Sequence, residues 1–221
     1  MKWINKLHPE EKELITLYGN VLGVDEVNRF SFMCPVTIAG VLLTKDQVDE
    51  IIPVADSKLL TEKQILEIGR ELMQRYIFTV RFVPVTSCSD GKYSKAFYSS
   101  VRSMIKELQP KVLLVDYYAI PSVHILQKGC KDGDKKYWTI AAASIVAKLI
   151  YNSAFDASIS LKYPAFRNTG RGSHYLNVLK AIENSDKLPR KQLRLTTIKR
   201  LIDKLEKKGM KFDKAKEKLC L

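Results

Sequence analysis

Two short, almost continuous apolar segments constrain the fold of this chain more than any other feature of its sequence. The segment LYGNVLGV (17–24) is followed at once by Asp25 and Glu26, and KVLLVDYY (111–118) carries Asp116 near its end. Apolar runs of this length predict strands that are buried on both faces, as in a sheet covered by helices. If the two strands are neighbours, three carboxylates lie at one edge of the sheet.

The other patterns alternate between strand and helix. They predict strands at 34–44 and 78–87, and helices at 61–76, 93–109 and 139–161. Thr61 is the expected N-cap of the helix at 61–76, and the strand at 34–44 is expected to pair as a hairpin with the strand at 17–24. This alternation of strands and helices predicts a mixed α/β layer fold. The main domain is expected to span 1–165, and residues 166–221 to form a helical carboxy-terminal region.

The net charge of +13 suggests a polyanionic partner, with nucleic acid ahead of an anionic membrane surface. Residues 190–221 hold twelve Lys or Arg against four Asp or Glu, which is +8 of that charge. Such a segment is often only a solvated helix face. In a chain this basic, contact with a phosphate backbone is the better interpretation.

The cysteines and histidines do not favour a zinc site or a disulfide framework. The four cysteines lie far apart without a CxxC motif, at Cys34, Cys88, Cys130 and Cys220, and the three histidines are scattered. A cytoplasmic protein is therefore expected, and no apolar run is long enough to span a membrane. Any metal would be bound by carboxylate oxygens, which suit Mg²⁺ or Mn²⁺. The alternative for Asp25 and Glu26 is a strand end that simply turns out into water.

Four blocks of sequence, in order between residue 22 and about 200, resemble the type 2 ribonuclease H family, also called ribonuclease HII. GVDEVNRFSFMCPV (23–36) resembles that family's GIDEAGRGPxxGPV, and DSKLLTEKQ (56–64) resembles its DSKKLSxKK. LLVDYYAIP (113–121) is similar to VDGxxxP, and GDKKYWTIAAASIVAK (133–148) is similar to ADAKYxxISAASIxAK.

The resemblance implies a ribonuclease-H-like mixed sheet with one antiparallel strand, flanked by helices, and a helical carboxy-terminal region. It also implies a monomer that uses Mg²⁺ or Mn²⁺ to cleave RNA in RNA–DNA hybrids, or ribonucleotides embedded in duplex DNA.

The resemblance also assigns residues to roles. The metal-binding acids are Asp25, Glu26 and Asp116, and the position of the fourth catalytic acid holds Asn152. The residues implied to contact nucleic acid are Asn28, Arg29, Phe30, Lys58, Lys136, Ser144, Lys148 and Arg171. Ser144 is equally interpretable as a small packing residue at a close helix contact.

Three departures from the family pattern bear on activity. Asn152 offers a carbonyl oxygen but no charge, and Asp156, one turn further on, is either a substitute or a surface residue. Phe30 replaces a glycine where the backbone approaches the ribose 2′-hydroxyl. Arg171 stands where the family has a tyrosine that stacks on the sugar at the RNA–DNA junction.

Three functions are compatible with these features. The first is an active ribonuclease H with altered substrate choice, and the second is a catalytically impaired protein of the same fold that binds RNA–DNA or duplex nucleic acid. A metal-dependent phosphatase of small substrates is the third, but it leaves the basic carboxy-terminal segment unexplained. Three retained acids favour the enzyme, because a −3 cluster weakens the binding of a polyanion.

Overall fold

The computed structural model describes residues 2–88, 92–166 and 175–221. The strands are β1 (Trp3–Ile4), β2 (Asn20–Val27), β3 (Val36–Thr44), β4 (Val54–Ala55), β5 (Ile77–Val83), β6 (Val112–Asp116) and β7 (Leu126–Cys130). The α-helices are α1 (Pro9–Tyr18), α2 (Glu62–Arg75), α3 (Lys92–Leu108), α4 (Trp138–Phe155), α5 (Tyr175–Asn184), α6 (Leu195–Glu206) and α7 (Asp213–Leu219). The mixed α/β fold class predicted from the sequence is confirmed.

Five strands form the main sheet in the order β5-β3-β2-β6-β7. β2 pairs with β3 in antiparallel orientation and with β6 in parallel, and β6 pairs in parallel with β7. The predicted hairpin is therefore confirmed, and the two acid-bearing strands are neighbours, which is the condition for their acids to meet. The small antiparallel sheet β1-β4 and the strand β7 were not predicted, since each is short and lacks a clear apolar pattern.

The first buried strand lies further along the chain than its apolar run predicts. Helix α1 continues to Tyr18, and Gly19 ends it with a left-handed φ of 92°. β2 then begins at Asn20 and stays paired with β3 through Val27, which lies opposite Thr37. The prediction of a strand over 17–24 was thus wrong in its bounds. The two acids lie inside the strand, because pairing continues past the apolar residues.

Helix α4 is built to lie very close to the sheet. Its first turns carry Ala141, Ala142 and Ala143, all fully buried, and these small side chains allow the close approach. Gly23 of β2 faces Thr139, where an added Cβ would lie only 2.2 Å from the Thr139 carbonyl carbon. The helix ends at Phe155, not at 161, and a single π-helical turn follows it.

A buried carboxylate anchors the beginning of α4. Glu11 is fully buried, and its oxygens accept hydrogen bonds from the backbone N–H groups of Trp138 and Thr139 at 2.9 Å and from the Thr139 hydroxyl at 2.7 Å. Burial raises the pKa of Glu11, although these hydrogen bonds oppose the shift. A carboxylate in this position satisfies N–H groups that the first turn of a helix leaves without partners.

The chain divides into two compact units, each described by itself. The first comprises residues 1–27, 37–82 and 94–150 and contains the five-stranded sheet and most of α4. The second comprises residues 28–36, 83–93 and 151–221 and contains α5, α6 and α7. Within the described parts of the chain, no helix is long and apolar enough to cross a membrane. The domain boundary predicted at residue 165 stays a prediction.

Candidate active site

Asp25 and Asp116 stand side by side at one edge of the sheet. In the parallel pair β2–β6, Val24 lies opposite Val115, so the next residue on each strand is one of these acids. The following residue of β2, Glu26, adds a third carboxylate at the same edge. The backbone register therefore shows that the two acid-bearing strands are neighbours, and a metal site formed by the three acids stays a prediction.

Asp25 is held in an environment that opposes its negative charge. The residue is 5% exposed, and burial, with the nearby charges of Glu26 and Asp116, raises its pKa well above the ordinary value. Burial likewise raises the pKa of Asp116, against a 2.7 Å hydrogen bond from the Gly133 N–H to its Oδ1. Carboxylates that repel one another in a partly dry site gain from a bound cation.

A chain of two serine hydroxyls connects Asp25 to the loop after β4. Ser144 of α4 is buried and hydrogen-bonds the Asp25 carboxylate, which lowers the pKa of Asp25 against the larger effect of burial. The Ser144 and Ser57 hydroxyl oxygens are 2.9 Å apart. When Asp25 is ionised its carboxylate can only accept, so in that state Ser144 donates to Asp25 and accepts from Ser57. Ser144 thus has a polar role, in addition to allowing close packing.

A further acid, which the sequence analysis did not single out, lies close to Asp116. Asp134 is 2% exposed, and its Oδ2 lies 2.9 Å from the Nζ of Lys58, a side chain that is 70% exposed. Burial lowers the pKa of Lys58, but the hydrogen bond and charge of Asp134 outweigh it and raise the pKa overall. The signal for Asp134 was its place in the GDKKY block, where the family pattern ADAKY also has an aspartate.

Lys148 borders the same group of residues. Its Nζ donates to the Ser57 carbonyl oxygen at 3.4 Å, and burial followed by the charge of Lys58 lowers its pKa. The ammonium groups of Lys58 and Lys148 are therefore close to the edge of the sheet that carries the acids. Their positive charge is suited to contact with a phosphate group that approaches the acids.

The donor set fits a hard divalent cation, although the acids are not arranged as a finished metal cage. Among residues 2–88, 92–166 and 175–221, no three His, Cys, Asp or Glu side chains form a cluster ready to hold a metal ion. The oxygens of Asp25, Glu26 and Asp116 are nevertheless the ligands that Mg²⁺ and Mn²⁺ prefer, and their mutual repulsion favours such a cation.

The segment 28–34 lies in the second unit and is held by a single buried arginine. Arg194 is 3% exposed, and its guanidinium donates hydrogen bonds of 2.7 to 3.1 Å to four backbone carbonyls of the segment. The accepting residues are Asn28, Arg29, Ser31 and Cys34. In the sequence Arg194 is one of twelve basic residues near the carboxy terminus, so nothing in the local pattern distinguished it.

This segment keeps the backbone of a glycine-rich loop without its glycines. Asn28 and Cys34 have left-handed φ values of 74° and 65°, and each occupies a position where the family pattern has glycine. Asn28 is suited to this conformation, and its amide donates to the carbonyls of Met33 and Pro35 at 2.9 and 3.0 Å. Tyr117, directly after Asp116, shows the same substitution in the first unit, with a φ of 74°.

Three of the residues to which the resemblance assigns a role are not among the contacts around Asp25 described above, or lie outside the described residues. The Nζ of Lys136 lies 3.9 Å from a carboxylate oxygen of Glu10 and 4.8 Å from the centroid of the Tyr137 ring. Asn152 belongs to the second unit and lies on α4. Arg171 lies outside the described residues.

Comparisons with known proteins agree with this geometry. The model of the family described as Ribonuclease HII matches residues 22–201. A Ribonuclease HII of Caldicellulosiruptor saccharolyticus is 32% identical over 166 residues, which are 74% of this chain and 80% of that protein.

Two solved structures share the fold. The ribonuclease H2 of Pyrococcus horikoshii OT3 has a TM-score of 0.70 at 20% identity, over 85% of this chain and 99% of that one. Bst-RNase HIII in complex with Mn²⁺ has a TM-score of 0.66 at 14% identity, over 89% and 73% of the two chains.

Proposed function

The chain belongs to the ribonuclease HII family, and we propose that it cleaves RNA in RNA–DNA hybrids, or ribonucleotides embedded in duplex DNA, using Mg²⁺ or Mn²⁺. As a member of that family it is a type 2 ribonuclease H, an endonuclease that hydrolyses phosphodiester bonds. The observation that supports the metal-dependent mechanism is the placement of Asp25 and Asp116 on adjacent parallel strands, with Glu26 at the same edge.

In this proposal Asp25, Glu26 and Asp116 hold the cation, and the Ser57–Ser144 hydroxyl pair orients the Asp25 carboxylate. When bound, a divalent cation supplies an activated water and stabilises the charge that develops on the scissile phosphate. The solved relative with Mn²⁺ supports the choice of metal class.

Positive side chains hold the substrate in this mechanism. Lys58 is exposed and fixed by Asp134, so its ammonium can bind a phosphate without losing its buried partner. Lys148 is half-buried beside it, and Arg29 carries a further cation on the second unit. The carboxy-terminal segment, with +8 of the net charge, extends the contact to the phosphate backbone.

The direct test is incubation of the protein with Mg²⁺ or Mn²⁺ and three labelled duplexes. One duplex is a continuous RNA–DNA hybrid, one is DNA with a single ribonucleotide, and one is DNA alone. Cleavage of either RNA-containing duplex, with the DNA duplex intact, is the expected result. Salt-sensitive binding of the same duplexes without cleavage would instead identify a non-catalytic binding protein. That second candidate is favoured by one observation, the asparagine at position 152.

Replacing Asn152 with aspartate is expected to lower the metal concentration needed for half-maximal cleavage by about tenfold or more, since each added ligand charge strengthens the binding of a hard cation. The measurement is a Mg²⁺ and Mn²⁺ titration of the cleavage rate. Asn184→Asp, at the end of α5, adds the same charge elsewhere and is the matched control. An unchanged metal dependence in Asn152→Asp would show that position 152 does not contribute to the metal site.

A further inference from the structure

Phe30, next to the proposed nucleic-acid contact Arg29, is a highly exposed apolar side chain. It is 85% exposed, the highest value among the large hydrophobic residues in the described part of the chain. The ring stands in segment 28–34, where the family pattern has a glycine. Transfer of an aromatic ring from water to an apolar contact is favourable, and in a nucleic-acid-binding protein an exposed ring is a typical contact for a base.

Phe30 belongs to a small stack of charged and aromatic groups. The guanidinium carbon of Arg29 lies 5.0 Å from the centroid of the Phe30 ring and 4.9 Å from the centroid of the Tyr93 ring. Both distances are typical of cation–π contacts. Arg29 therefore contacts both rings, that of Tyr93 in the first turn of α3 and that of the exposed Phe30.

The backbone that carries this stack is held unusually firmly for a surface loop. Arg194 donates to the carbonyls of Asn28, Arg29, Ser31 and Cys34, and the Arg194 N–H donates to the Phe32 carbonyl at 2.8 Å. The Cys34 N–H donates to the Gln192 carbonyl at 2.6 Å. A loop whose backbone is held before binding loses less conformational entropy when a ligand covers it.

We propose that Phe30 is a nucleobase-stacking platform, on which one base at a locally opened step of the bound duplex stacks, with Arg29 beside it to bind the adjacent phosphate. The proposal rests on the proposed function, because it requires a bound RNA–DNA or ribonucleotide-containing duplex. In place of the close backbone approach that a glycine allows, this chain has a side-chain contact with the base. Phe30 is thus a specificity-determining residue, which favours sequences or junctions whose base steps open easily.

The test uses duplexes that carry 2-aminopurine, a base whose fluorescence reports stacking, at each position around a single ribonucleotide. Binding is measured without cleavage in the Asp25→Asn background. We expect one position to change its fluorescence on binding, with the change retained in Phe30→Tyr and Phe30→Trp and lost in Phe30→Ala and Phe30→Leu. The two variants that lack a ring are expected to bind about tenfold more weakly. Phe82→Ala, at a half-exposed phenylalanine of β5, is the control and is expected to bind normally.

The outcomes separate this proposal from the function on which it rests. Binding by Phe30→Leu that equals the wild type, or a fluorescence change that no Phe30 variant alters, would overturn the platform and leave the nuclease intact. A Phe30-dependent fluorescence change without cleavage by the wild-type chain would support the platform and overturn catalysis. Absence of binding to any duplex would overturn both.

Discussion

Asp25→Asn is expected to reduce the cleavage rate at least about a thousandfold, which corresponds to the several kcal/mol of transition-state stabilisation that a metal site provides. Asparagine keeps the shape and one oxygen of Asp25 but removes the charge that attracts the cation. The measurement is single-turnover cleavage of the RNA-containing duplexes in Mn²⁺ and in Mg²⁺. Asp49→Asn, at an exposed acid near Lys12, is the control and is expected to cleave normally.

The same substitution is expected to stabilise the protein when no metal is present. Burial and the charges of Glu26 and Asp116 raise the pKa of Asp25 in the folded chain, so its ionised form costs folding free energy. In the wild type, the stabilisation that comes with protonation of Asp25 is fully present below the ordinary aspartate pKa. It is lost as the pH rises through the raised value. An asparagine side chain at this position cannot ionise, so this pH dependence should disappear in the variant.

Thermal unfolding in a chelator between pH 4 and pH 8 measures this difference. We expect the melting temperature of Asp25→Asn to exceed that of the wild type near neutral pH and to approach it as the pH falls. Addition of Mn²⁺ should raise the wild-type melting temperature more than that of the variant, because a ligand that binds only the folded state stabilises it. If the variant loses activity and is also less stable than the wild type at neutral pH, Asp25 is not a destabilising charge that a bound cation neutralises, and the proposed role is contradicted.

Gly23→Ala is expected to destabilise the chain by about 3 kcal/mol or more, the upper part of the range for overpacking in a core. The added Cβ would lie 2.2 Å from the Thr139 carbonyl carbon and 2.5 Å from the Thr139 Cβ and oxygen. Two of these three atoms are backbone, so α4 as a whole would have to move away from β2. The melting temperature should then fall by about 6 to 12 °C.

Gly40→Ala is the matched control for this prediction. Gly40 lies opposite Val24 on the neighbouring strand, and a Cβ there would meet only side-chain atoms, the closest being the Leu22 Cδ1 at 3.1 Å. Its melting temperature should change much less, since a leucine side chain can shift by a few tenths of an ångström. Equal stability of the two variants would show that α4 does not depend on the absence of a side chain at Gly23.

Movement of α4 would also separate Ser144 from Asp25, so residual activity in Gly23→Ala should be low.

Several features could be predicted from the sequence because they depend on neighbours in the chain. Thr61 begins α2 with its side chain accepting from the Gln64 N–H, as the local pattern of a capping residue indicates. The apolar runs identified the two central strands, and the four motif blocks identified the family. The bounds of β2 were predicted less well, since pairing with β3 extends the strand over the charged residues.

Other features depended on contacts between distant parts of the chain. Arg194 reaches the carbonyl of Asn28 across 166 residues of sequence, and Lys58 reaches Asp134 across 76. No periodicity marks such pairs, because a buried ion or hydrogen bond is stabilised by its three-dimensional surroundings and not by its sequence neighbours. The sequence by itself therefore determined the alternation of the longer strands and helices, the family, and which acids the two central strands carry. Only the tertiary structure showed which lysine pairs with Asp134 and why β2 needs a glycine where it meets α4. It also showed how Arg194 holds the segment 28–34, in which residues other than glycine have left-handed φ values.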